Sequence, residues 1–348
     1  MKSIIMILIN IVFCVNALSG SMDDVAYLRL SALSNLWDKS PALYRASIAS
    51  NMVDISKNRI VMTSMGGTSI FGWLEPNHFD KEAANFLLER AKNNVGLILP
   101  GIAPLRDTLG GKWLYQGKGK FKQLKEFMDE FHKTGAKLFI QLTAGFGRSL
   151  AMNDIMVKGA KNKALGFVLK PILNVDYLNA SCSETPNRWD EEIISKQLSK
   201  KQIKQMVDAF AKTAKLCMDA GADGIEVHAV HEGYLIDQFT MKYTNLRTDE
   251  YGGSFENRYR FPVEIVQAIK AACGKDFPVS LRYSVVSKTK GFGKGALPGE
   301  DYVEVGRDMA ESEKYGYYHA TNEGGYISWY EFACEIFKHS VSRKYSCW

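Results

Sequence analysis

The chain has 348 residues, 46% of them hydrophobic and 24% charged, with a net charge of +6. That is the composition of an ordinary globular protein, long enough for one large domain or two average ones. No block of Lys or Arg stands out, so nucleic-acid binding is not implied. The six cysteines, Cys14, Cys182, Cys217, Cys273, Cys334 and Cys347, include no C-x-x-C pair. Neither a disulfide framework nor a paired-thiol metal site fits that spacing, and buried free thiols are expected.

At the N-terminus, "MKSIIMILINIVFCVNALSG" carries one Lys and an apolar run from Ile4 to Val15, broken only by Asn10. The run is short for a membrane span, and "VNA" ending at Ala17 resembles a small-residue cleavage site. A signal peptide and a buried strand or helix both fit it. From Lys57 onward strands and helices alternate. "NRIVMTSM" (58–65) reads as a strand and "KEAANFLLERAKNN" (81–94) as a helix. "VGLILPG" (95–101) is a strand ending in Pro-Gly. "FKQLKEFMDEFHKTG" (121–135) is a helix capped by Gly135, and "AKLFIQL" (136–142) the next strand. Residues 143 to about 198 show no periodicity and read as irregular. An amphipathic helix then ends at Gly221, and "ADGIEVH" (222–228) is a strand. Ser254 can cap the following helix, in which Pro262 predicts a bend or a restart. "FPVSLRYS" (277–284) is a strand, 301–314 a helix and "YGYYHAT" (315–321) a weak sixth strand.

Alternating strands and helices with near-continuous apolar strands predict a parallel sheet covered on both faces. A doubly wound sheet needs a G-x-G-x-x-G turn after its first strand. "GGTSIFG" after Met65 is not that turn, and "GFGKG" (291–295) does not open a helix as required. The expected fold is therefore α/β of the (β/α)8 TIM-barrel type, whose chemistry gathers at the C-terminal ends of the strands.

Those ends carry Thr63-Ser64-Met65-Gly66, Pro100-Gly101, Gln141, His228 followed by His231, and Arg282. Taken singly, Gln141 could be a satisfied buried amide, Arg282 half of an ion pair, and either histidine a packing residue. A metal would need a third ligand beside the two histidines, and Glu226, on the same face as His228, lies a full pleat deeper, so no metal is expected. Two imidazoles can instead donate hydrogen bonds to a carbonyl oxygen, and the Tyr234 phenol can deliver a proton. An amide that reads an N–H/C=O edge, a fixed cation and close-approach glycines suit a flavin with an enone lying on it.

These residues resemble the Old Yellow Enzyme-like NADH:flavin oxidoreductases over residues 57–330. The most specific stretch is "IEVHAVHEGYLIDQFTMKYTNLRTDEYGGSFENRYRF" (225–261), supported by "NRIVMTSMGG" and "FIQLTAGFGRS". Glu232 before Gly-Tyr resembles the dienoyl-CoA and bile-acid enoate reductase branch. The resemblance implies a TIM barrel that binds FMN, uses NADH or NADPH as reductant, and passes hydride to the β-carbon of an enone or enoyl substrate. It implies flavin contacts from Thr63, Ser64, Met65, Gly66, Gly101, Gln141 and Arg282. It gives His228 and His231 the substrate carbonyl oxygen and Tyr234 the proton for the α-carbon. Ser64 stands where the family has Pro, and Thr68 where some members have a substrate-contacting Tyr.

After residue 321 the sequence runs on only to 348. The family builds its flavin-phosphate pocket from strands 7 and 8, and Gly306-Arg307 precedes strand 6. The expectation is an incomplete barrel of about six βα units over 51–330, between unmatched segments 1–50 and 331–348. No iron–sulfur cluster is expected, since the larger members' four-cysteine motif is missing. A non-catalytic remnant is the alternative to an active reductase. A cytoplasmic location follows from the resemblance, and a secreted or membrane-anchored one from a working N-terminal signal.

Overall fold

The computed structural model describes residues 56–58, 60–73, 76–229 and 234–283. His231, the apolar N-terminal run, the helix expected over 301–314 and the strand expected over 315–321 lie outside them.

In chain order the elements are β1 (Val61–Met62), α1 (Lys81–Lys92), β2 (Leu97–Ile98), β3 (Ala103–Pro104), α2 (Lys118–Phe131), β4 (Lys137–Thr143), α3 (Asp154–Lys161), α4 (Lys163–Leu169), α5 (Val175–Leu178), α6 (Lys200–Asp219), β5 (Gly224–Ala229), α7 (Leu235–Thr240), α8 (Phe255–Cys273) and β6 (Val279–Tyr283). All strand pairs are parallel, in the order β1-β2-β4-β5-β6, with β3 also on β4. Leu97 pairs with Lys137 but Pro104 with Thr143. Seven steps on one side thus match six on the other, so one extra residue is absorbed between β2 and β3, beside Gly101. A parallel sheet entered in sequence order, with helices in the crossovers, is the pattern of a (β/α)8 barrel, and the described residues form part of one.

Local signals explain the long helices. Asp80 caps α1 by accepting from the Glu82 and Ala83 amides, both at 2.9 Å. Ser199 and Gln202 form a capping box at α6, and the Ser254 side chain caps α8. One helix runs from Phe255 to Cys273 straight through Pro262, so the expected restart does not occur. The stretch from 143 to 198, expected to be irregular, holds α3, α4 and α5, begun by Asn153, Asn162 and Asn174, each of whose side chains accepts from a backbone N–H. Those caps were visible in the sequence. The helices escaped because they are short and only α3 buries much of a face.

Strands β2 to β5 are buried on both sides, but the two sides differ. Leu138, Ile140 and Leu142 of β4, Ile225, Val227 and Ala229 of β5 and Val279 of β6 join the main apolar core with Leu87, Phe131, Phe210, Phe261 and Ile265 of the helices. The alternate residues face the sheet's other side. At its N-terminal end these are apolar: Leu97, Leu99 and Phe139 cluster with Val61. Further along they are polar. Gln141, Glu226 and Ser280 stand in register across β4, β5 and β6, and Thr143, His228 and Arg282 form the next row. Near-continuous apolarity thus holds only for the helix-facing side. Among the described residues no helix is long and apolar enough to cross a membrane, and Cys182, Cys217 and Cys273 are free thiols.

Candidate active site

The inner rows lie at adjacent levels because parallel strands in register stack alternate side chains in layers. Glu226, 1% exposed, accepts a hydrogen bond from Gln141 Nε2 at one carboxylate oxygen and from Ser280 Oγ, at 3.1 Å, at the other. Gln141 Nε2 also donates to Ser64 Oγ at 3.2 Å, and Arg282 Nη1 donates to the same hydroxyl. Ser64, at the C-terminal end of β1, is thereby joined to β4 and β6. Burial pushes the Glu226 carboxyl above the usual carboxylate range, although Arg282, Gln141 and Ser280 all oppose it.

A cavity of about 530 Å³ opens above this row. Ser64, Met65, Gly66, Gly101, Gln141, Tyr234 and Arg282 all line it. Gly66 has nothing within 4 Å of where a Cβ would stand, so this wall is open to a flat ligand. Gly101 is the opposite case: a Cβ there would lie 2.7 Å from the Met65 carbonyl oxygen. Thr68 links the two segments, accepting from the Gly101 amide at 2.8 Å and donating to the Met65 carbonyl at 2.9 Å. Tyr234 meets Phe146 edge-on, with ring centroids 4.7 Å apart, and Phe146 meets Trp73 at 6.3 Å. Burial raises the Tyr234 pKa.

Two of the candidate residues sit elsewhere. Thr63 is exposed and does not line the cavity. His228 is buried to 1% exposure in the row beyond Glu226, its ring 5.5 Å from that of Tyr234, and is likewise not part of the lining. The residues that sequence reasoning missed are Trp73, Phe146, Arg188 and Trp189, which wall the cavity from loops, and Glu226, which was weighed only as a metal ligand. Phe146 lay within the quoted "FIQLTAGFGRS". Nothing in the spacing of Trp73, Arg188 and Trp189 marks them, because loops carry no period.

The donor set can be tested for a flavin on one atom. Both N–H groups of Gln141 are taken, by Glu226 and Ser64, while its Oε1 is buried without a hydrogen-bond partner among the described residues. A buried acceptor left open calls for a ligand N–H, and the Arg282 cation, which shares the Ser64 hydroxyl with Gln141, lines the same cavity. A flavin pyrimidine, with an N–H between two carbonyls, fits both.

The NADH:flavin oxidoreductase / NADH oxidase family matches residues 52–326. The chain is 38% identical over 289 residues to a cinnamate reductase from Clostridium sporogenes, covering 79% of this chain and 40% of that one. It is 36% identical over 202 residues to a putative 12-oxophytodienoate reductase 3 from Oryza sativa subsp. japonica, covering 56% of this chain and 47% of the other. The chain thus spans less than half the length of these curated relatives. Among solved structures, an Old Yellow Enzyme from a Pichia species matches with a TM-score of 0.56 at 24% identity, over 82% of this chain and 77% of that one. A 2-naphthoyl-CoA reductase matches with a TM-score of 0.54 at 21% identity, over 82% and 43%. Both likenesses bear on the fold.

Proposed function

We propose, for a chain that belongs to the NADH:flavin oxidoreductase / NADH oxidase family, an FMN-dependent reduction of the C=C bond of an α,β-unsaturated carbonyl compound with NADH or NADPH as reductant. The observation that carries this reading is the unmatched Oε1 of Gln141, a residue that lines the cavity together with Arg282. FMN, when bound, supplies the hydride. The chain's own residues do the rest. Gly66 leaves room for a flat ring system, and Gly101 lets the Met65 segment close up beside it. Gln141 Oε1 accepts from a ring N–H, and Arg282 sets a fixed positive charge near the ring's carbonyls, where preorganised charge acts most strongly in a water-poor site. By the family resemblance, His228, which packs beside the Tyr234 ring just behind the cavity lining, and His231, outside the described residues, would hold the substrate carbonyl oxygen. Tyr234 gives the α-carbon its proton, and its raised pKa keeps the phenol protonated throughout the neutral range. The aromatic wall of Trp73, Phe146 and Tyr234 favours flat, conjugated substrates. That agrees with the names of two relatives, a cinnamate reductase and a 2-naphthoyl-CoA reductase. We place the activity in the cytoplasm, where NAD(P)H is made.

The test is the visible spectrum of the purified full-length chain, before and after addition of FMN. The expected result is a bound-flavin spectrum that bleaches with NADH without oxygen and returns when cinnamate or a cyclic enone is added. A colourless chain that ignores added FMN would overturn the reading and leave a non-catalytic member of the family.

A further inference from the structure

The polar row beneath the cavity contains one residue that touches no ligand space yet controls one that does. Gln141 could present either end of its amide to the cavity, and oxygen and nitrogen are nearly the same size. The end it presents decides whether the cavity offers an acceptor or a donor. Its Nε2 donates to Glu226 and to Ser64. Turning the amide over would set its oxygen against the Glu226 carboxylate oxygen that now accepts from it, whereas the Ser64 hydroxyl could donate to either end, so the lock is Glu226. Glu226 is itself fixed, since its second oxygen accepts from Ser280 Oγ at 3.1 Å and its backbone is paired with Gln141 on one side and Ser280 on the other. The carboxyl is 1% exposed, so water cannot take over either bond.

We infer that Glu226 is a positioning residue: it locks the Gln141 amide in the orientation that shows the cavity a carbonyl oxygen, and so makes the site select a ligand that carries an N–H at that point. The inference rests on the flavin reading above and adds to it the residue that sets the polarity of recognition. Glu226 does not meet the flavin or the substrate. Its effect passes through Gln141.

The experiment compares FMN with FMN methylated at the pyrimidine N3, which cannot donate there. Binding to the full-length chain is followed by quenching of flavin fluorescence. The wild-type chain is expected to bind FMN about tenfold more tightly than the methylated flavin, the order of one hydrogen bond made in a dry site. In Glu226→Gln the new amide can give or accept, the Gln141 amide is free to turn, and the preference is expected to narrow to about twofold. Ser280→Ala, which frees one end of the carboxyl, is expected to narrow it partway. It decides the question if Glu226→Gln does not fold by circular dichroism. A tenfold preference unchanged in the folded variants would overturn the inference while leaving the flavin reading intact. Failure of the wild-type chain to bind FMN would overturn both.

Discussion

Glu226 places a carboxyl where water does not reach, and the consequences are measurable at the scale of one proton. Its pKa in the folded chain is raised, first by burial, above the value near 4.3 of a free side chain. The folded state therefore binds this proton more tightly than the unfolded state. The favourable contribution is whole below the unfolded pKa and is lost as pH rises toward the folded one. We expect urea unfolding at pH 5 and pH 8 to show the wild type losing ground against Glu226→Gln at the higher pH. The thiols offer a second check. Cys182 and Cys217 are fully buried, and burial pushes the Cys182 thiol up to about 11 and the Cys217 thiol higher still. Neither has the thiolate or the exposure that alkylation needs. Iodoacetamide at pH 8 should leave both unmodified in the folded chain and label both in guanidinium, as read by peptide mass mapping. Gln141, Arg282 and Tyr234 were legible in the sequence because each closes a strand pattern or follows one. The Gln141–Glu226 bond was not, because it joins residues 85 positions apart and depends on a register that sequence alone does not fix.

At the scale of elements, the junction between β2 and β3 does most to shape the site. One extra residue relative to β4 loosens the strand there, and Gly101 lets the Met65 segment come close. A methyl group at 101 would stand 2.7 Å from the Met65 carbonyl oxygen and 3.1 Å from the Ser69 nitrogen, both backbone atoms that cannot rotate away. Gly101→Ala is expected to cost about 1–3 kcal/mol of stability, the usual range for overfilling a packed site. It should also weaken FMN binding at least tenfold, because Met65 and Gly66 would move; denaturant unfolding and flavin titration measure the two effects. The sequence read "VGLILPG" as one strand ending at Gly101. Its Gly was read as a point of close approach for a flavin; the structure sets it against the Met65 backbone, and the strand resumes at Ala103, which nothing in a Pro-Gly pair signals.

For the whole molecule, β4 and β5 are flanked by strands on both sides, whereas β1 has two residues and one described neighbour. Opening free energies should follow that order, since central strands exchange only with large-scale unfolding. Hydrogen exchange followed by mass spectrometry should show 139–143 and 224–229 as the slowest amides and 61–62 among the fastest. The alternation of strands and helices announced a parallel α/β sheet from the sequence, and the missing Gly-rich turn after the first strand turned that reading toward a barrel. What it could not announce was that the barrel's inside changes character along its length, because the same strand reads as apolar whichever side is counted first.

That change begins at Phe139. Its ring fills the space that Gly224 leaves open on the neighbouring strand, where a Cβ would stand 2.6 Å from the ring. With Leu97, Leu99 and Val61 it forms an apolar stopper in the described part of the barrel, below Glu226. Phe139→Ala would pull that stopper and let a file of water climb from the far mouth. The carboxyl should then slide back toward its ordinary pKa, visible as a carboxylate band in the infrared at neutral pH. The dryness around Glu226 would thus be set by a hydrocarbon layer at the opposite end of the described strands.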